Sequence, residues 1–140
     1  MKLSTKGRYA LRLMLDIALQ PGEEPVSLRD AAQRQDISVK YLEQLAPSLT
    51  RAGLLRSLRG SNGGYLLTRA PADYKVGEIL RAAEGELVPV ECSRDGTCCS
   101  RADRCVTVEV WRDISRAIDA VVDRWTLGDL VERYHEKCSG

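Results

Sequence analysis

The sequence predicts a mainly α-helical chain carrying one small β-hairpin. Apolar residues recur at helical spacing along most of its 140 residues, and the glycine-rich stretch Gly60-Ser61-Asn62-Gly63-Gly64 separates two short strand-like pieces. The composition, 44% hydrophobic and 29% charged, suits a globular domain rather than a disordered chain or a coiled-coil rod.

Over residues 5–20, Tyr9, Leu11, Leu13, Met14, Ile17 and Ala18 give a helix an apolar face, and Pro21-Gly22 ends it. Ser27 and Asp30 form a capping pair for a helix over residues 28–34. Asp36-Ile37 is a short turn, after which Ser38 caps a third helix running towards Arg51, with Gly53 as its stop. Pro47 falls inside that helix and removes a bond to the Glu43 carbonyl, so a bend is expected there. Two helices joined by about four residues are the outline of a helix-turn-helix.

Residues 54–59 and 65–69 read as strands, with Asn62-Gly63 as the turn because both residues tolerate positive φ. A hairpin directly after a helix-turn-helix is a wing, and Arg56, Arg59 and Arg69 would let it reach phosphates or the minor groove. Residues 76–83 form another short helix, ended by Gly85. From Val106 the pattern is helical for about 20 residues, with Trp111, Ile114, Ile118, Val121 and Trp125 recurring at alternating steps of 3 and 4. Such a seam either packs on its own domain or joins two copies. Beside a winged helix-turn-helix the two-fold dimer is favoured, since operators are often read as paired half-sites. Thr126, paired with Asp129, opens a last helix to about Glu136.

The net charge of +1 conceals an asymmetry. Residues 1–75 carry 12 Lys and Arg against 7 Asp and Glu, a balance of +5, whereas residues 76–140 carry 9 against 13, a balance of −4. A basic first half accommodates a polyanionic partner. No apolar run approaches the roughly 18 residues of a membrane span, and no secretory signal is present, so a cytoplasmic location with reduced thiols is expected.

Cys92, Cys98, Cys99 and Cys105 fall within 14 residues as C-x5-C-C-x5-C, and Cys138 lies near the end. A reducing compartment disfavours disulfides, and structural zinc usually shows C-x2–4-C pairs that this loop lacks. Wider spacing suits an iron–sulfur cluster, which needs several thiolates converging on a cage; zinc and redox-active or inert thiols stay open beside it. His135, the one histidine, sits in a charged helical end and reads as a solvated side chain, and Cys138 as a tail thiol. With no general base near the cysteines, no C-x-x-C redox pair and no phosphate loop, the chain does not read as an enzyme.

Several motifs taken together resemble one family. Lys6-Gly7-Arg8-Tyr9-Ala10, Ile37-Ser38-Val39-Lys40-Tyr41-Leu42-Glu43-Gln44-Leu45, residues 58–67, Val76-Gly77-Glu78-Ile79, the cysteine loop, Val110-Trp111-Arg112-Asp113-Ile114 and Thr126-Leu127-Gly128-Asp129-Leu130 are similar to IscR-like winged-helix regulators, a family that includes NsrR, RirA and CymR. The resemblance covers residues 2 to about 134. It implies a winged helix-turn-helix DNA-binding domain over residues 1–75, and a cysteine-loop sensor with a long dimerisation helix over residues 76–140. It implies a homodimer on double-stranded operator DNA, with Ser38, Lys40, Tyr41 and Glu43 reading the major groove and Arg59 at the wing. It also implies a two-iron or four-iron cluster on Cys92, Cys99 and Cys105, with Cys98 as an alternative or additional ligand, and cluster-delivery proteins as further partners. Where IscR places a histidine three residues after the last cysteine this chain has Val108, and where NsrR carries an acidic residue near the N-terminus it has Arg8. The fourth ligand is therefore open among the second of the adjacent cysteines, Glu109, Cys138 and a non-protein group. A cluster-free thiol or cysteine-responsive repressor is the alternative reading.

Overall fold

Three helices, α1 (Thr5–Leu19), α2 (Leu28–Gln35) and α3 (Val39–Arg51), enclose an apolar core in which Leu13, Met14, Leu42 and Leu49 are wholly buried. The structure is a computed structural model describing residues 3–93, 101 and 104–138. Each of the three helices begins at a serine whose hydroxyl accepts an otherwise unpaired backbone N–H: Ser4 from Lys6, Ser27 from Asp30 and Ser38 from Tyr41. Between α2 and α3 the chain turns at Asp36, which adopts the left-handed conformation (φ 54°) while the Ile37 N–H reaches back to the Ala32 carbonyl at 3.0 Å. The α3 helix continues through the exposed Pro47 and stops at Gly53 (φ 76°), where the Leu54 N–H returns to the Leu49 carbonyl at 2.9 Å.

The hairpin consists of β1 (Leu55–Leu58) and β2 (Gly64–Leu67), antiparallel, with Leu55 opposite Leu67 and Leu58 opposite Gly64. Its turn differs from the one expected. Neither Asn62 nor Gly63 has positive φ; that conformation falls at Gly60 (φ 116°). Gly63 is instead needed for space, because a Cβ there would lie 2.2 Å from the Leu58 carbonyl oxygen. Val26, in the segment before α2, exchanges two backbone hydrogen bonds with Tyr65 (2.9 and 2.8 Å) and so ties the wing to the helical core.

Past a 3-10 turn (Pro71–Asp73), the chain forms α4 (Val76–Glu84), a second 3-10 turn (Glu91–Ser93), α5 (Thr107–Arg124) and α6 (Leu127–Cys138). Thr126 and Asp129 form the expected reciprocal cap of α6, each side chain accepting the other's N–H at 3.0 and 2.9 Å. Glu84 at the end of α4 accepts the Ser4 N–H (2.8 Å), the Ser4 hydroxyl and the Gly7 N–H (3.2 Å), clamping α4 to the start of α1. The core runs across position 75: Ile79 of α4 and Leu127 of α6 belong to the same buried cluster as α1–α3. Among the described residues, no helix is long and apolar enough to cross a membrane.

The motifs around Gly77 and Gly128 dock on one another. The Val76 N–H donates to the Trp125 carbonyl and the Leu127 N–H to the Tyr74 carbonyl, both at 2.9 Å. A Cβ on Gly77 would meet Asp123 Oδ1 at 2.2 Å, and one on Gly128 would meet the Ala72 backbone at 3.0 Å. Arg81 of α4 bridges to Asp119 and Asp123 of α5, both at 2.8 Å. Its hydrogen bond holds the Asp123 carboxyl below the usual carboxylate range. A folded-state pKa below the unfolded one means that this clamp is stabilising above the ordinary Asp value and is lost as pH falls through the lowered one.

The heptad seam read along α5 divides into two faces. Ile118, Val122 and Trp125 turn inward onto Val76, Leu80 and Leu87. Val110, Ile114 and Val121 are instead 52%, 40% and 49% exposed, in line with the exposed Ala117. Steps of 4, 3 and 4 from Val110 therefore trace an outward apolar stripe offset from the expected seam, because the α4 contact claims part of it.

Candidate nucleic-acid interface and cysteine site

The N-terminal turns of α3 bring the four expected reading residues together. Ser38, Lys40 and Glu43 are exposed, although the Ser38 hydroxyl is also engaged as the helix cap (3.2 Å from the Tyr41 N). Tyr41 is only partly exposed. Its hydroxyl is hydrogen-bonded to Thr5 Oγ1 at 2.6 Å, and its ring stands edge-on to Tyr9 with centroids 5.4 Å apart. It thereby fixes the start of α3 against α1, in addition to any contact its free edge can make. Glu43 adds a carboxylate acceptor suited to a cytosine amino group and repelled by phosphate.

Arg56 and Arg59 are exposed on the hairpin, as a wing requires. Arg69 is not available in the same way. Its guanidinium bonds to Glu78 (3.0 Å) and to the Asp73 carbonyl (3.1 Å) and lies over the Tyr74 ring at 4.9 Å, so it braces the wing's root.

Residue type and spacing had not singled out two features on which this surface depends. Asp16, 2% exposed, is held bidentately by Arg34 (2.8 and 3.0 Å) and by Gln35 Nε2 (3.1 Å), locking α1 to α2. Tyr74, wholly buried, fastens the hairpin's two ends. An acidic residue at a core-facing helical position was the available signal for the first; nothing local marked the second.

In the second half, Cys92 is exposed on the 3-10 turn packed against α5, and Cys105 stands immediately before α5. Cys98 and Cys99 lie outside the described residues. Cys105 Sγ is 3.3 Å from the Thr107 hydroxyl, beside Arg101, Arg104 and Val106 in a shallow cleft. That hydroxyl pulls the thiol below its usual range, aided by the N–H groups of Val108 and Thr107 and the charge of Arg101. A sulfur biased towards thiolate is the donor that an iron–sulfur cluster needs, so Cys105 fits that role. Val108 is buried, in keeping with its apolar character. Cys138 and His135 are exposed on α6, with His135 edge-on to Tyr134. In reduced, iron-free protein, peptide-resolved alkylation of Cys105 should reach half its maximal rate at a lower pH than that of a cysteine in an unstructured peptide. Thr107→Val should move that midpoint upward; an unchanged midpoint would count against the hydroxyl's role.

Two helices meeting at a short turn, with a two-stranded wing rooted beside the second, define a winged helix-turn-helix regulator of transcription. The chain belongs to the Rrf2 family, whose model, described as an iron-dependent transcriptional regulator, matches residues 3–133. It is 44% identical over 131 residues to protein rrf2 of Nitratidesulfovibrio vulgaris, covering 94% of this chain and 87% of that one. It is 42% identical over 131 residues to the HTH-type transcriptional regulator IscR of Klebsiella pneumoniae, covering 94% and 80%. Among solved structures, CymR (YrzC), the global cysteine regulator of B. subtilis, matches with a TM-score of 0.77 and 42% identity over 95% of this chain and 98% of that one. T. potens IscR matches with a TM-score of 0.77 and 42% identity over 98% and 90%. The family is one of transcriptional regulators, and the chain is one of them rather than an enzyme.

Proposed function

We propose that two copies of this chain bind operator DNA and that affinity is set at residues 91–105 by an iron–sulfur cluster on Cys92, Cys99 and Cys105, with Cys98 as alternative or additional ligand. The observation that carries the reading is the position of Cys105: its sulfur, 3.3 Å from the Thr107 hydroxyl, stands at one end of α5, whose other end is hydrogen-bonded through the Trp125 carbonyl to Val76, the residue that directly follows the DNA-binding half. When bound, the cluster supplies a redox-sensitive centre that needs thiolate ligands. The chain supplies the rest. Thr107 and the first N–H groups of α5 stabilise the thiolate, Ser38, Lys40, Tyr41 and Glu43 face the major groove, and Arg59 extends the contact from the wing.

The outward stripe of Val110, Ile114 and Val121 supports a two-fold α5 contact, since a regulator reading paired half-sites needs its two heads at fixed separation. Ile114→Glu should shift the protein from dimer to monomer in sedimentation and weaken operator binding by at least about 10-fold, as a desolvated carboxylate at an interface costs at least that much. A variant that stays dimeric would place the interface elsewhere.

Iron and acid-labile sulfide measured after anaerobic purification test the cofactor. Comparable amounts of both, lost together in Cys105→Ala, are expected. A second reading, a cluster-free thiol response, is favoured by the equal likeness to the cysteine regulator CymR. Protein without iron or sulfide, whose operator affinity responds to thiol oxidation, would establish it.

A further inference from the structure

Tyr74 is buried where the wing, α4, α5 and α6 converge. Its hydroxyl donates to the Leu54 carbonyl (2.8 Å), at the entry to the hairpin, and accepts the N–H groups of Thr68 (2.7 Å) and Arg69 (3.1 Å), at the exit. The same residue's carbonyl accepts the Leu127 N–H, and two residues on Val76 donates to the Trp125 carbonyl, both at 2.9 Å. The backbone around Lys75 is thus fastened to the end of α5 and the start of α6. Arg69 reinforces the node, lying over the Tyr74 ring while bound to Glu78 in the first turn of α4. Farther along, Arg81 ties α4 to Asp119 and Asp123 of α5.

A buried hydroxyl with three backbone partners cannot shift without either breaking those bonds or moving the strands that supply them. From this we infer that Tyr74 is a positioning residue coupling α5 to the hairpin, so that the wing's orientation follows the helix as well as the separation of the two reading heads. The inference rests on the DNA-contact reading of the wing only for its consequence; the coupling belongs to the protein alone.

Amide hydrogen exchange over residues 55–67 of the full chain tests the coupling in four proteins: the parent, Arg81→Ala, which removes the ion pairs of α4 with Asp119 and Asp123 of α5, Tyr74→Phe, which removes one oxygen and keeps the ring, and the double variant. Arg81→Ala should speed hairpin exchange by about 5-fold or more when Tyr74 is present and by less than about 2-fold together with Tyr74→Phe. A tyrosine with a merely structural role would lower the melting temperature and leave the effect of Arg81→Ala the same in both backgrounds. That result, or no effect of Arg81→Ala beside Tyr74, overturns the coupling.

The consequence is read with a duplex that the parent protein selects from a random-sequence pool. Tyr74→Phe should weaken binding by about 5-fold in the parent and by less than about 2-fold beside Arg59→Ala. If Arg59→Ala alone has no effect, the wing contact fails as a reading, and the exchange measurement still decides the coupling.

Discussion

Gly64→Ala should destabilise the protein by about 3 kcal/mol and detach the wing from the helical core. Gly64 has no positive φ, so the cost does not come from backbone strain. It comes from space. A Cβ at this position would lie 2.4 Å from the Val26 carbonyl oxygen, 2.5 Å from its carbon and 2.9 Å from the Ser27 nitrogen, and all three are backbone atoms that no rotamer change can move. Relief requires the Val26 segment to retreat, which breaks both of its hydrogen bonds to Tyr65 and opens the buried Val26 side chain to water. Ser27 would be dragged along, and with it the cap of α2. For a chain of this length the loss corresponds to roughly 10 °C in melting temperature. Gly60→Ala is the informative control. Nothing lies within 4 Å of a Cβ there, and only its φ of 116° opposes the substitution, so about 1–2 kcal/mol is expected. Thermal melts of both variants, with exchange of the Tyr65 amide, check the ordering. Equal losses would mean that crowding against Val26 is not what makes Gly64 necessary.

The elements most legible in the sequence were those whose signals are local. Serines ahead of apolar periodicity marked the starts of α2 and α3, and Pro21-Gly22 and Gly85 marked ends, because a capping hydroxyl or a missing side chain acts within one turn. The Thr126–Asp129 box was readable for the same reason. What could not be read was nonlocal. The partner of Tyr65 is Val26, 39 positions earlier, and nothing in either residue announces the other. The stripe on α5 was misaligned because periodicity says that a helix has an apolar face but not which part of it α4 covers. Arg69 looked like another DNA-facing cation, whereas Glu78, nine residues on, holds it at the root of the wing. For the proposed reading residues and Cys105, residue type and spacing give the candidates. The structure adds what holds them: Thr5 and Tyr9 behind Tyr41, and Thr107 behind Cys105.

Arg34→Ala should cost about 2–3 kcal/mol, through the charge it leaves behind rather than the one it removes. Arg34 is 39% exposed, so water already screens its side of the pair; Asp16 is 2% exposed, and without the guanidinium its carboxylate keeps only the Gln35 amide as a side-chain donor. An ion pair loses most when the partner that remains is the buried one. Arg34→Lys should recover only part of the loss, because an ammonium cannot reproduce the two-pronged contact made by Nε and Nη2. Replacing both partners, Asp16→Leu with Arg34→Met, should recover most of it, since no charge is then left in the core. The effect should also reach the DNA-binding surface. The Gln35 that helps hold Asp16 accepts Arg12 through its own carbonyl and side-chain oxygen, and Arg12 in turn lies over Tyr9, the ring against which Tyr41 of α3 rests. Loosening Asp16 therefore loosens the angle between the two helices of the turn. In chemical denaturation the three variants should rank Arg34→Ala least stable, Arg34→Lys next and the double replacement nearest the parent. Operator affinity at 25 °C should follow the same order even where all remain folded. If Arg34→Ala stayed within about 0.5 kcal/mol of the parent, in the range of an ordinary surface substitution, the pair would be no more than a solvated contact and the alignment of α1 with α2 would have to be held by apolar packing and the Gln35 hydrogen bonds.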